Sequence, residues 1–171
     1  MPRPSPDVIT VLRSPDAPGY LDLRMGTGEG AQMATAFRTA GPGAATIGTG
    51  ELVIGAPHPA ETGSRRLVLG PDGAHRGYIE YRSRLSPIRC AVALVGDDGD
   101  RAWARARSAR GALLHRLRPD STMPDTAVMI GDDEAGDVVA VPGGYRLRWH
   151  GVARLDLTGS ALLALALGIP R

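Results

Sequence analysis

Between residues 51 and 95 the chain carries four strand-like runs: ELVIG (51–55), RRLVLG (65–70), GYIEYRSRL (77–85) and IRCAVALV (88–95). The gaps between them are short, rich in Gly, Pro, Asp and Ser, and hold no helical periodicity. Parallel neighbours would need crossovers of about a dozen residues or more, so these strands must meet antiparallel. The last run is apolar on both faces, which predicts a central strand with Cys90 buried as a small hydrophobe. A doubly wound α/β architecture has no room here.

The flanking regions extend the same reading. DVITVL (7–12) is β-branched, YLDLRM (20–25) alternates, and TAVMIG (126–131) and DVVAV (137–141) follow the pattern. EGAQMATAFRTA (29–40) is predicted as a helix with Met33 and Phe37 on one face, stopped by Gly41 and Pro42. Residues 101–118 are read as a helix from Ala102, Ala106, Ala109, Leu113 and Leu117, although 102–107 also alternates at period two. The apolar run at 158–168 is either a closing strand or a final helix capped by Thr158 or Ser160. The expected architecture is mainly β, an antiparallel sandwich or partly open barrel with one or two helices. Residues 1–6 read as a Pro-rich arm and 7–171 as a single β-rich domain.

Composition sets the functional limits. With 171 residues, 43% hydrophobic and 22% charged, the chain has the profile of a globular domain and not of a disordered one. Aromatic residues are only 4%, so the core must rest on aliphatic side chains and Ala. All 20 basic residues are Arg, and the net charge is +2. That bias, with the abundance of Ala, Gly and Pro, fits a GC-rich bacterial genome as well as it fits a binding surface. One cysteine allows neither an internal disulfide nor a Cys-based zinc site within the chain. The N-terminal residues lack a signal-peptide core, and no apolar run is long enough to span a bilayer. A cytoplasmic location without membrane contact is the expectation.

Two stretches carry candidate sites. In YRLRWHGVARLDL (145–157), Tyr145, Leu147, Trp149, Leu155 and Leu157 are expected to face the core of one long strand. Arg146, Arg148, His150 and Arg154 then share the other face at about 6.6–7 Å between alternate side chains, near the repeat of a nucleic-acid backbone. No aromatic residue interleaves with these arginines, so a solvated outer face, or one that meets acidic groups, is favoured over a nucleic-acid track. On the solvated reading, Arg148→Ala costs little stability.

The second stretch, LDLRMGTGEGA (21–31), places a glycine-rich turn after a strand, at G-x-G-x-x-A spacing from Gly26. It resembles the cofactor loop of class I methyltransferases that use S-adenosylmethionine, with Asp22, Gly26 and Gly28 in matching positions. Arg24 stands where that family has its first glycine. The resemblance implies a nucleotide- or S-adenosylmethionine-binding enzyme as the alternative function, with Gly26–Gly30 as the loop and Glu51 nearest the ribose-binding position. The acidic runs GDDGD (96–100) and GDDEAGD (131–137) read as turns, because neither has cation-ligand spacing. The four histidines, His58, His75, His115 and His150, show no metal-ligand spacing, and no nucleophile elbow occurs. No catalytic residue, metal or cofactor is assigned.

Finally, DVVAVPGGYRLRWHG (137–151) resembles a V-P-x-G-x-Y-R-x-R ending found in β-rich actinobacterial proteins, some of which look like immunity partners of toxins. The resemblance implies a protein partner. The expected function is therefore a non-enzymatic domain that recognises an acidic protein or ligand through Arg146, Arg148, His150 and Arg154. Membership of a larger assembly and the oligomeric state stay open.

Overall fold

A computed structural model describes residues 7–16, 20–26, 32–37, 45–46, 53–57, 64–70, 72–82, 91–96, 101–118 and 122–168. The first strands are β1 (Val8–Arg13), β2 (Tyr20–Met25), β3 (Gln32–Phe37), β4 (Ala45–Thr46), β5 (Val53–Pro57) and β6 (Ser64–Leu69). They continue with β7 (His75–Arg82), β8 (Ala91–Gly96), β9 (Arg101–Ala106), β10 (Thr126–Ile130), β11 (Asp133–Val141) and β12 (Gly144–Trp149). Helix α1 (Ala109–Leu117) lies between β9 and β10, and helix α2 (Leu157–Gly168) follows β12.

All described pairings are antiparallel, and strand order is β3-β2-β1-β12-β11-β10-β9-β8-β7-β6-β5-β4. Every neighbour is consecutive in sequence except β1 and β12, so the last strand is inserted beside the first. The two edges, β3 and β4, are also consecutive, but no pairing between them closes the sheet among the described residues. Helix α2 packs on β1 and β2 and also on β8. In a flat sheet β1 and β8 would lie about 24 Å apart, five strand spacings, whereas a helix is roughly 10–12 Å across. The sheet therefore curls around the helix as an open barrel.

The sequence of α2 explains its position. Ala161 through Ala166 are all 7% exposed or less, so the helix is buried on every side. Its first turn is capped by Asp156, whose carboxylate accepts from the Gly159 N–H at 2.7 Å. The cap expected at Thr158 or Ser160 is thus displaced to the residue just before the helix. Facing the helix are alternate residues of the strands, among them Ile9, Val11, Leu21, Leu23, Ile79, Val138, Tyr145 and Leu147. The inner row of β9 is Ala102, Ala104 and Ala106, each 1% exposed or less. The inner surface also holds Arg66, 6% exposed and opposite Ile79. Its phase was readable, since Arg66 lies two residues before the inward Val68.

Several expectations are corrected. The helix expected over 29–40 is strand β3, paired along Tyr20–Arg24 of β2. Sheet pairing outweighs the modest helix propensity of an Ala-rich segment. Residues 101–118 split at Ser108: β9 pairs with both β8 and β10, and only Ala109–Leu117 is helical. The acidic run at 131–137 is a turn only at Gly131 and Asp132; Asp133 onward belongs to β11. The long strand expected to Leu157 stops at Trp149, because its residues leave the sheet after His150 to enter α2. Cys90, Gly28, Glu51, His58 and residues 1–6 and 97–100 lie outside the described residues.

Candidate functional site

The outer face of β12 is set by alternation. Tyr145, Leu147 and Trp149 are 1%, 0% and 7% exposed, which turns Arg146 and Arg148 outward. Arg146 lies between Thr10 of β1 and Val139 of β11, and Arg148 between Val8 and Asp137. Arg24 of β2 is opposite Thr10, so Arg24, Thr10 and Arg146 form one cross-strand row.

The basic side chains of this region are not all held alike. Arg148 makes a bidentate pair with Asp137, Nε to Oδ1 at 2.8 Å and Nη2 to Oδ2 at 2.7 Å. The same carboxylate lies 3.2 Å from Nε2 of His150. Asp137 is only 8% exposed, and the Arg148 guanidinium holds its carboxyl below the usual aspartate range against the opposing effect of burial. The pair raises the Arg148 pKa in turn. Arg24 is paired with Asp22 at 2.8 Å. Arg154 lies beyond the strand and pairs with Asp7, joining the loop before α2 to the start of β1. The four expected residues are therefore not one strand face: Arg146 and Arg148 are, His150 flanks them through Asp137, and Arg154 is elsewhere.

Arg146 differs from the others. Its only partner is the Thr10 hydroxyl, 3.4 Å from Nε, and it makes no ion pair among the described residues. Thr10 is 2% exposed, and its own hydroxyl donates to the Gly26 carbonyl at 2.8 Å. This chain of contacts connects Arg146 to Gly26, the first residue of the glycine loop. Gly26 itself has φ +83°, a left-handed conformation that favours glycine, and its N–H donates to Val8. The element after the loop is strand β3, so the helix N-terminus on which a phosphate-binding turn depends is not formed there. Asp22 is held by Arg24, both through Nε at 2.9 Å and through the ion pair.

The same outer surface continues over β11, β10 and β9. Asp137 is opposite Ala127, and Ala127 is opposite Arg105. Arg105 stands 5.9 Å from the centre of the Trp103 ring, within cation–π range. The Trp103 indole N–H donates to the Gly131 carbonyl at 3.0 Å. An outward aromatic absent from β12 is thus present three strands away. The period-two pattern of 102–107 was its signal, and the helical reading concealed it. Arg107 is bonded to Glu134, which raises the arginine pKa and lowers that of the glutamate.

At the opposite end of β12, a cleft of about 370 Å³ is lined by Arg13, Ser14, Thr122, Met123, Val141 and Tyr145, among others. Among the described residues no group of three or more His, Cys, Asp or Glu side chains is arranged to hold a metal ion, and no helix is long and apolar enough to cross a membrane.

Comparison with protein families, with curated proteins and with solved structures gave no match to this chain. The residues themselves carry the functional argument. A half-buried guanidinium without a carboxylate among the described residues, flanked by arginines already held by theirs, is equipped to receive one from outside.

Proposed function

We propose that this chain is a binding domain that receives an acidic segment of a partner protein on the outer face of β12. The observation that carries the reading is the unmatched cation Arg146 between the neutralised pairs Arg24–Asp22 and Arg148–Asp137. Those pairs hold the flanking side chains in place, so little ordering remains to be done when a ligand arrives. Arg146 keeps the terminal nitrogens of its guanidinium for a planar, bidentate carboxylate, while Nε rests near Thr10. Recognition requires no reaction step, and the residues named here act by orientation and charge.

The test is fluorescence anisotropy of a labelled poly-glutamate peptide titrated with the whole chain, in low and high salt. Binding that weakens with salt is expected, because exposed charge interactions are screened. Arg146→Ala is expected to weaken it by about tenfold or more, the scale of a lost charge-assisted hydrogen bond. Unchanged affinity in that variant, or no binding of the peptide by the parent, overturns the proposal. A single-stranded RNA of equal charge is the comparison; preferential binding of the RNA would also overturn it.

A further inference from the structure

Helix α1 turns its leucines toward solvent. Leu113, Leu114 and Leu117 are 48%, 48% and 69% exposed, whereas Ala112 is buried at 2%. Spacings of three and four residues place these leucines on one stripe. Arg110 and Arg118 are also exposed and extend the stripe at its two ends. Neither makes an ion pair among the described residues. The sequence from Arg101 through Pro119 contains no Asp or Glu.

The helix is well formed without a partner. Ser108 accepts from the Gly111 N–H at 3.0 Å, and the Arg118 N–H closes on the Leu114 carbonyl at 2.9 Å. Its leucines therefore remain exposed on a completed element at the rim of the barrel. Clustered exposed apolar side chains of this kind mark contact surfaces.

We propose that α1 docks on an anionic lipid surface, with Leu113, Leu114 and Leu117 entering the interface and Arg110 and Arg118 meeting the headgroups. The charge pattern selects this occupant. A second copy of the chain would bring two basic helices together, which repel. A short, acid-free helix that exposes three leucines between two arginines matches a negatively charged leaflet. At nine residues, about 13 Å long, α1 lies in the interface and does not span it. This surface is separate from the β12 face, so the two proposals stand or fall independently.

The experiment is co-sedimentation of the whole chain with vesicles of phosphatidylcholine alone and of phosphatidylcholine mixed equally with phosphatidylserine. Binding is expected only to the anionic vesicles, with loss at high salt. A double variant, Leu113→Ser with Leu117→Ser, is expected to lose about tenfold or more in vesicle affinity. Its thermal midpoint should fall only slightly, since Leu113 and Leu117 are 48% and 69% exposed and Ser is a modestly poorer helix former than Leu. Arg110→Glu with Arg118→Glu should also abolish binding, and Arg146→Ala should leave it unchanged. No binding to anionic vesicles, or equal binding by the leucine variant, overturns the proposal. So does loss of vesicle binding in Arg146→Ala, or a self-association of the parent that the leucine variant abolishes.

Discussion

Tyr145 donates its phenolic hydrogen to the Ala164 carbonyl across 2.5 Å, joining the inner face of β12 to the buried helix α2. The contact fixes how deeply the helix sits, because the end of α2 also rests on the same ring. A Cβ placed on Gly168 would meet the Tyr145 oxygen at 2.5 Å and a Leu21 methyl at 2.9 Å. Tyr145→Phe is expected to lower stability by about 0.5–1.5 kcal/mol, the net value of one hydrogen bond. Gly168→Leu should cost more, since it also overpacks the site by about 1–3 kcal/mol. Urea denaturation of both variants checks the ordering.

Trp149 ends β12 on the core side at 7% exposure. Trp149→Ala is expected to cost about 3–5 kcal/mol, the loss for truncating a large buried ring. Near-parental stability in denaturant would show that the two faces of β12 have been assigned in reverse.

Arg148 is more consequential than an outward arginine usually is. Arg148→Ala was expected to cost little; instead its removal strips the bidentate partner from Asp137, a carboxylate only 8% exposed. A loss of about 1–2 kcal/mol is expected, discounted because the guanidinium itself is partly solvated. The acid side of the stability curve provides the check. Folding lowers the Asp137 pKa, chiefly through the Arg148 hydrogen bond, so its stabilisation is present above the ordinary carboxylate range. It is lost as pH falls through that range toward the lower folded value. The difference in unfolding free energy between the parent and Asp137→Asn should therefore shrink on acidification from neutral pH to below about pH 4. A difference independent of pH would remove the ion pair from the account.

Gly144 opens β12 where it is wedged between β1 and β11. A Cβ there would stand 1.9 Å from the Val11 carbonyl oxygen, and the obstacle is backbone. Gly144→Val is expected to destabilise the domain by several kcal/mol, with the β1–β12 pairing most affected. Hydrogen exchange of the β1 amides should report the loss, whereas Gly143, at φ +79° with open space around it, should tolerate Asn.

Much of the strand content was legible because a period of two leaves a direct trace. Tyr20–Met25 and the inward set Tyr145, Leu147 and Trp149 follow from alternation alone. Alternation fails where side chains are small and the segment also suits a helix. Gln32–Phe37 and Arg101–Ala106 are both Ala-rich, and only their hydrogen-bonded neighbours make them strands. The candidate site divides in the same way. Arg146 and Arg148 could be placed on one face from spacing, but their unequal status could not. It depends on Asp137 and Thr10 arriving from other strands.

By itself, the sequence determined an antiparallel, β-dominated chain, since its connections are too short for crossovers and its strand runs alternate. It left the apolar run at 158–168 as either a closing strand or a final helix. Only the tertiary structure decided that this segment is the helix around which the sheet curls, and that β12 lies beside β1. It alone decided which arginines are neutralised, because ion pairing between strands depends on register across the sheet, and local periodicity contains no information about register.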